Sequence, residues 1–143
     1  MKMLYLRGCL LLALSLGVVG FSQAEIAVIV NPDSGISKLS TSQVKRLFLG
    51  KSRRLPNGQR ALPVNQEEGS PVREEFNSKV LRKNERQIKA YWSKKIFSGK
   101  AQAPKELGND AAVKAFVAEN PNAIGFIDAR HVDDRVRVVL RVR

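Results

Sequence analysis

Residues 61–76 read ALPVNQEEGSPVREEF and contain the clearest indication of the architecture. Its first four residues are mostly apolar and predict a short β-strand, which Pro63 shortens or pushes to the edge of a sheet. Further on, Ser70 suits the cap of a helix, and Pro71 suits the first helical position, where no backbone N–H is needed. The apolar face of this helix is formed by Val72, Phe76 and Val80. A strand, a glycine-containing loop and a helix in this order predict an α/β domain.

More strands and helices alternate on both sides of this unit. Apolar or alternating runs predict strands at residues 25–30, 123–127 and 135–143. Other helices are predicted by their caps. These caps are a capping box of Ser40 and Gln43, a second one of Asn84 and Gln87, and Asn109 or Asp110. The pattern predicts one α/β domain, a small mixed sheet flanked by helices.

Three packing details are specific enough to check. The helix after Asn84 is expected to turn four residues inward, namely Ile88, Tyr91, Trp92 and Ile96. The last strand is expected to place Val136, Val138, Leu140 and Val142 on one face, and Val139 on the other face with Arg135, Arg137, Arg141 and Arg143. Gly125, inside a strand, predicts a close approach to its neighbours.

Residues 1–24 have the three parts of a secretory signal peptide. Lys2 and Arg7 precede an apolar run at 9–21, and small residues lie before a cleavage site after Ala24. We therefore expect residues 25–143 to be a single domain in the periplasm, without stable membrane insertion. An uncleaved anchor is the alternative. Lipid attachment fits less well, because Cys9 lies at the start of the apolar run and not at its end.

Composition excludes several classes of protein. One Cys and one His among 143 residues exclude a disulfide framework and zinc or histidine metal clusters. The formal charge is +12, and it becomes +10 when Lys2 and Arg7 leave with the signal peptide. This excess predicts an anionic partner. Nucleic acid is not expected, because the basic residues are scattered and few aromatic residues lie among them.

The chemistry suggested by the residues centres on Gly69 and Ser70. A helix N-terminus offers free N–H groups to an anion, glycine allows close approach, and Arg73 lies near enough to add a charge. The simpler alternative is that Ser70 only caps the helix. His131, beside Asp133 and Asp134, is interpreted as a surface histidine. We find no catalytic constellation, metal site or cofactor motif, so the sequence does not predict an enzyme.

Four segments in series carry a family resemblance: IAVIVNP at 26–32, LSTSQVKRLFLGK at 39–51, EGSPVREEF at 68–76 and NPNAIGF at 120–126. They resemble the periplasmic phosphate-binding component of phosphate uptake transporters, and more closely the short single-lobe members of that superfamily. The resemblance covers most of residues 25–143. It implies a single lobe of a type II periplasmic-binding-protein-like fold.

In the full-length phosphate binders, the loop that matches residues 66–72 reads Arg-x-Asp-Gly-Ser-Gly-Thr and cradles the oxyanion. Here two positions match and four depart, with Gln66 for Arg, Glu68 for Asp, Pro71 for Gly and Val72 for Thr. These departures remove a charge, a backbone donor and a hydroxyl group. The ligand-binding residues expected here are Gly69, Ser70, Val72, Arg73, Gln66 and Glu68.

The resemblance implies a periplasmic binding protein for phosphate or a related oxyanion, serving an ABC-type uptake system or a sensor. Its expected partners are the oxyanion and an ABC permease or an envelope sensor protein. The alternative is an interaction module that has kept the fold but binds no ligand. Such a module would dock on an envelope protein through its basic surface, including the arginines of residues 135–143.

Overall fold

The computed structural model describes Gly17, residues 24–99 and residues 101–143. Apart from Gly17 and Ala24, the predicted signal peptide therefore lies outside the described residues. Within the described part of the chain, no helix is long and apolar enough to cross a membrane.

The described residues form five strands and four α-helices. The strands are β1 (Ile26–Val30), β2 (Leu62–Asn65), β3 (Lys105–Glu106), β4 (Ala123–Asp128) and β5 (Arg137–Val142). The helices are α1 (Thr41–Phe48), α2 (Pro71–Phe76), α3 (Glu85–Phe97) and α4 (Asp110–Glu119). Helix α2 continues into a π-helical turn, Asn77–Leu81, and short 3₁₀ turns cover Pro32–Ser34 and Ala129–His131.

The strands form one mixed sheet in the order β3-β2-β4-β1-β5. Strand β2 runs parallel to β3 and β4, whereas β1 is antiparallel to β4 and β5. The carboxyl ends of β2, β3 and β4 therefore meet at one edge of the sheet. The predicted small mixed sheet flanked by helices is confirmed.

Buried residues pack on both faces of the sheet. On one face, Phe76 stacks on Phe126 with ring centroids 3.9 Å apart, and Phe48 meets Phe76 edge-on at 4.8 Å. On the other face, helix α4 packs Val113 and Val117 against the sheet. Covering both faces explains why all residues of β1 and β4 are buried, as their apolar sequences predicted.

Gly125, in β4, allows helix α4 to pack closely against the sheet. A Cβ atom at this position would lie 2.6 Å from Val113 Cγ1 and 3.0 Å from Val64 Cγ2. Real Cβ atoms do not approach other carbons so closely. The close approach predicted for Gly125 is therefore confirmed.

The predicted helix caps are confirmed as well. Both capping boxes form, with the Ser40 and Asn84 side chains accepting hydrogen bonds from Gln43 N and Gln87 N. Asn109, the first of the two predicted alternatives, caps α4. Local hydrogen bonds of this kind depend on a few neighbouring residues, so the sequence is enough to place them.

Two packing predictions are wrong. Ile96 does not turn inward but is 52% exposed, because α3 projects past the core in its last turn. In β5, Val139 does not share the exposed face of the arginines but is buried, at 4% exposure. The four apolar residues predicted on one face are also divided, because Val136 and Val138 pack on the side of α4 and Leu140 and Val142 on the opposite side. The register between β1 and β5 shifts between Val28 and Ile29, and this irregularity interrupts the simple alternation of β5.

Two elements were not predicted: the two-residue strand β3 and the π-helical turn after α2. Strand β2 is short, as its proline predicted. Because β3 pairs with Val64 and Asn65, β2 does not form the edge of the sheet.

Candidate functional site

The residues of the predicted binding loop lie at the carboxyl ends of the parallel strands. Gln66 directly follows β2, Glu106 ends β3 and Asp128 ends β4. In open α/β sheets, ligands bind beyond the carboxyl ends of the strands. This edge of the sheet is therefore the candidate site, and the loop between β2 and α2 lies there.

Ser70 caps helix α2 at this edge. Its Oγ accepts a hydrogen bond from Arg73 N at 3.3 Å and donates one to Gln66 Oε1 at 2.7 Å. The preceding Gly69 has a φ of 86°, a left-handed conformation that glycine adopts without strain. The hydroxyl proton that an anion would need is thus already used within the chain.

Gln66 is a buried polar residue at the centre of the site, at 2% exposure. Its amide nitrogen donates to Phe126 O at 3.0 Å and to Asp110 Oδ1. With Ser70 on its carbonyl oxygen, both ends of the amide are hydrogen-bonded. Gln66 therefore links β2, β4, α2 and α4, and an anion would have to break these bonds to reach it.

Arg73 is buried and braced by carboxylates. Its guanidinium lies 3.1 Å and 2.5 Å from the two oxygens of Glu85, 3.2 Å from Glu106 Oε2, and donates to Gln66 O at 2.7 Å. Asn77 Nδ2 also donates to Glu85 at 2.9 Å. All three nitrogens of the guanidinium face an internal acceptor, so its charge is balanced inside the chain.

Glu68 and Val72 complete the predicted set. Glu68 pairs with Lys89 at 2.5 Å, and the hydrogen bond from Lys89 lowers the pKa of this carboxyl. Val72 is half-buried and packs against the core. Its backbone N–H, at the second position of α2, has no acceptor within the helix. Of the six predicted residues, Val72 thus offers a main-chain donor and not a side chain.

A second group of charges lies beside Gln66. Asp110 Oδ2 is 2.6 Å from His131 Nδ1 and accepts a hydrogen bond from Asp128 N at 3.1 Å. Arg130 binds the Asp128 carboxylate at 2.7 Å, and this hydrogen bond lowers the pKa of Asp128. His131 is exposed, as predicted, but its partner is Asp110 and not the neighbouring Asp133 or Asp134.

Sequence reasoning missed Glu85, Glu106 and Asp110. Glu85 and Asp110 lie in the first turns of α3 and α4, where acidic residues commonly stabilise a helix through its dipole. No sequence motif indicated that they have a further role in the site. Together with Glu68 and Asp128 they give the site five carboxylates. Four basic groups stand against them: Arg73, Lys89, Arg130 and His131.

This edge of the domain is therefore a self-contained network that offers little free positive charge. Among the described residues, no group of three or more His, Cys, Asp or Glu is arranged to hold a metal ion. The arrangement can fix the loop before α2 in one conformation, because each side chain of Gln66, Ser70 and Arg73 bonds to another element or to its own helix.

Comparison with known proteins shows which solved structures share this fold. No family model matches the chain. A solved protein described as a phosphate ABC transporter substrate-binding protein, from Clostridium perfringens and with bound phosphate, superposes with a TM-score of 0.65 at 25% identity. The match covers 81% of this chain and 45% of that one. The fold of this chain is thus that of the phosphate-binding-protein-like superfamily.

Two further solved structures also match the fold of this chain. An ABC-type phosphate transport receptor from Vibrio cholerae matches with a TM-score of 0.65 at 21% identity, covering 83% of this chain and 47% of that one. PstS from Borrelia burgdorferi matches at 0.60 and 12% identity, covering 81% and 47%. The chain thus spans about half the length of these phosphate-binding-protein-like structures. The predicted membership and fold class are confirmed.

Proposed function

We propose that this chain is a non-enzymatic periplasmic protein that has kept the phosphate-binding-protein-like fold, has closed its own anion site, and docks on an envelope protein through its basic surface. The observation that supports this proposal is the bonding of Gln66, Ser70 and Arg73. Each side-chain donor atom that an anion would need already has an acceptor within the chain.

The charge balance supports the closed site. A phosphate dianion at the start of α2 would stand near Glu68, Glu106 and Asp110, and like charges at short range destabilise one another. To recruit Arg73, the anion would have to replace Glu85 or Glu106 and leave a carboxylate unpaired in a partly buried site. Breaking such a pair costs more than an exposed contact returns.

The basic surface is clearest along β5, which forms one edge of the sheet. Arg137 is exposed and forms no ion pair among the described residues. Arg141 and Arg143 share the single carboxylate of Glu25, at 3.8 Å and 4.0 Å. Arg135 shares the carboxylate of Asp133 with Lys114. The partner that suits this edge is therefore a protein with an acidic surface, because complementary charge speeds and orients association.

A second candidate function is the binding of phosphate or a related oxyanion, for uptake with an ABC permease or for an envelope sensor. The observation that favours it is the relative from Clostridium perfringens, which contains bound phosphate. In this chain, Gly69 and Ser70 keep the matching positions and Val72 adds its free N–H. The anion would then rest on main-chain donors, with Arg73 only holding the loop.

Calorimetric titration separates the two candidates. Inorganic phosphate or sulfate is added to the purified protein at millimolar concentration and neutral pH, and the melting temperature is measured in parallel. A closed site gives no saturable heat and no rise in melting temperature. A saturable heat with a matching rise in melting temperature supports oxyanion binding and contradicts the closed site.

The docking surface is tested by capture of envelope proteins on the immobilised chain. The variant Arg137→Glu/Arg143→Glu reverses two charges of the β5 edge, and the matched control Lys38→Glu/Lys51→Glu makes the same change in charge at exposed positions outside that strand. We expect the first variant to lose a specifically captured protein and the control to keep it. Equal loss in both variants would indicate general charge attraction and contradict a docking edge.

A further inference from the structure

A groove lies at the opposite end of the sheet from the candidate site. It has a volume of about 810 Å³ and is lined by residues around Leu62 and Lys105, the first residues of β2 and β3. The site described above begins after Asn65 and Glu106, where the same two strands end. The groove is therefore separate from the loop of Ser70, and none of that loop's residues lines it.

The walls of the groove include a continuous set of apolar side chains. These are Leu47, Ala61, Leu62, Pro63, Trp92, Ala101, Ala103 and Pro104. Trp92 packs against Gly50, where an added Cβ would lie 3.1 Å from the edge of the indole. The groove thus offers an apolar surface that an apolar chain or ring would bury.

The charged residues that line the groove are all basic. They are Arg53, Arg60 and Lys105, and among the described lining residues there is no Asp or Glu. Arg60 and Lys105 are exposed, so their charged groups can meet a ligand at the mouth. Lys105 Nζ also lies 5.0 Å from the ring of Phe116, which holds the side chain beside the sheet.

We propose that this groove binds a small amphiphilic anion, an apolar chain or ring that carries one carboxylate or phosphate. The apolar part lies along Pro63 and Trp92, and the anionic group meets Arg60 and Lys105. The volume lies within the range of about 300–1,000 Å³ that is usual for small-molecule sites. Inorganic phosphate does not fit this proposal, because it has no apolar part to bury.

The test uses Trp92, the only tryptophan in the chain. Decanoate is titrated into the purified protein below the concentration at which it forms micelles, and tryptophan fluorescence is recorded. We expect a saturable change in intensity or wavelength with decanoate. Decyltrimethylammonium, with the same chain length and the opposite charge, should bind at least tenfold more weakly, and inorganic phosphate should have no effect.

Variants then locate the anionic contact. Arg60→Gln/Lys105→Gln removes two charges at the groove, and we expect it to weaken decanoate binding about tenfold. Lys38→Gln/Arg86→Gln removes two exposed charges that do not line the groove and should leave binding unchanged. The proposal is overturned if decanoate gives no saturable change, if the cationic amphiphile binds as well, or if both variants weaken binding equally. Should the first variant fail to fold, the comparison of the two amphiphiles on the unchanged protein decides alone.

Discussion

Replacing Arg73 by leucine tests whether this residue stabilises the loop before α2 or is available to bind an anion. The side chain is 7% exposed, and its guanidinium bonds to Glu85, Glu106 and Gln66 O. Removing one partner of a buried ion pair costs about 3–5 kcal/mol, because the other charge stays behind without its partner. Glu85 and Glu106 are 23% and 54% exposed and can regain some water. We therefore expect a loss near the lower end, about 3 kcal/mol.

Urea unfolding followed by circular dichroism measures this loss. With a slope of about 1.5 kcal/mol per molar urea, the midpoint should fall by about 2 M. Arg86→Leu is the matched control, since Arg86 is exposed on α3 and should change stability by less than about 0.5 kcal/mol. Adding Glu85→Gln to Arg73→Leu should restore part of the loss. A loss below about 1 kcal/mol, similar to the control, would refute the bracing role.

Three further changes test other parts of the structure. Gly125→Ala should cost about 1–3 kcal/mol in unfolding experiments because its Cβ would collide with Val113, and Val113→Ala in the same chain should recover part of it. Ser70→Ala should cost at least about 2 kcal/mol, because it removes the cap and leaves the buried Gln66 Oε1 without its donor, whereas Ser78→Ala, at an exposed position, should be nearly neutral. The hydrogen bond from Arg130 lowers the pKa of Asp128. The charged Asp128 carboxylate therefore stabilises the fold above pH about 4, and this stabilisation is lost as the pH falls through the lowered pKa. Asp128→Asn should therefore reduce stability at neutral pH and flatten its acid dependence, and an unchanged profile would contradict the pairing.

The parts of the fold that could be predicted from sequence are those decided by near neighbours. Ser40, Ser70 and Asn84 cap their helices as predicted, because a cap depends on a backbone N–H three residues away. The irregularity in β5 could not be predicted. Alternation placed Val139 with the arginines, and only the pairing of β5 with β1 shows where the register shifts.

The candidate site, too, could be predicted from sequence only where it depends on near neighbours. The loop of Gly69 and Ser70 was placed at the start of a helix by local chemistry. The groups that occupy its donors come from far along the chain, with Asp110 lying 44 residues beyond Gln66. A motif shows which residues a loop carries, but the sheet topology decides which carboxylates meet them. The basic surplus of the sequence therefore does not accumulate at this site.

Nitrogen-detected or proton–nitrogen NMR shows whether the side chains of Gln66, Ser70 and Arg73 close this site to an anion. Phosphate is titrated into the labelled protein while the backbone signals of Gly69, Ser70 and Val72 and the Nε–H signal of Arg73 are followed. We predict that these signals do not move saturably, and that the Arg73 Nε–H exchanges slowly with water because Glu85 holds it. Saturable shifts of the loop amides, with or without a shift of the Arg73 signal, would show that the site is open to phosphate and contradict the closed site.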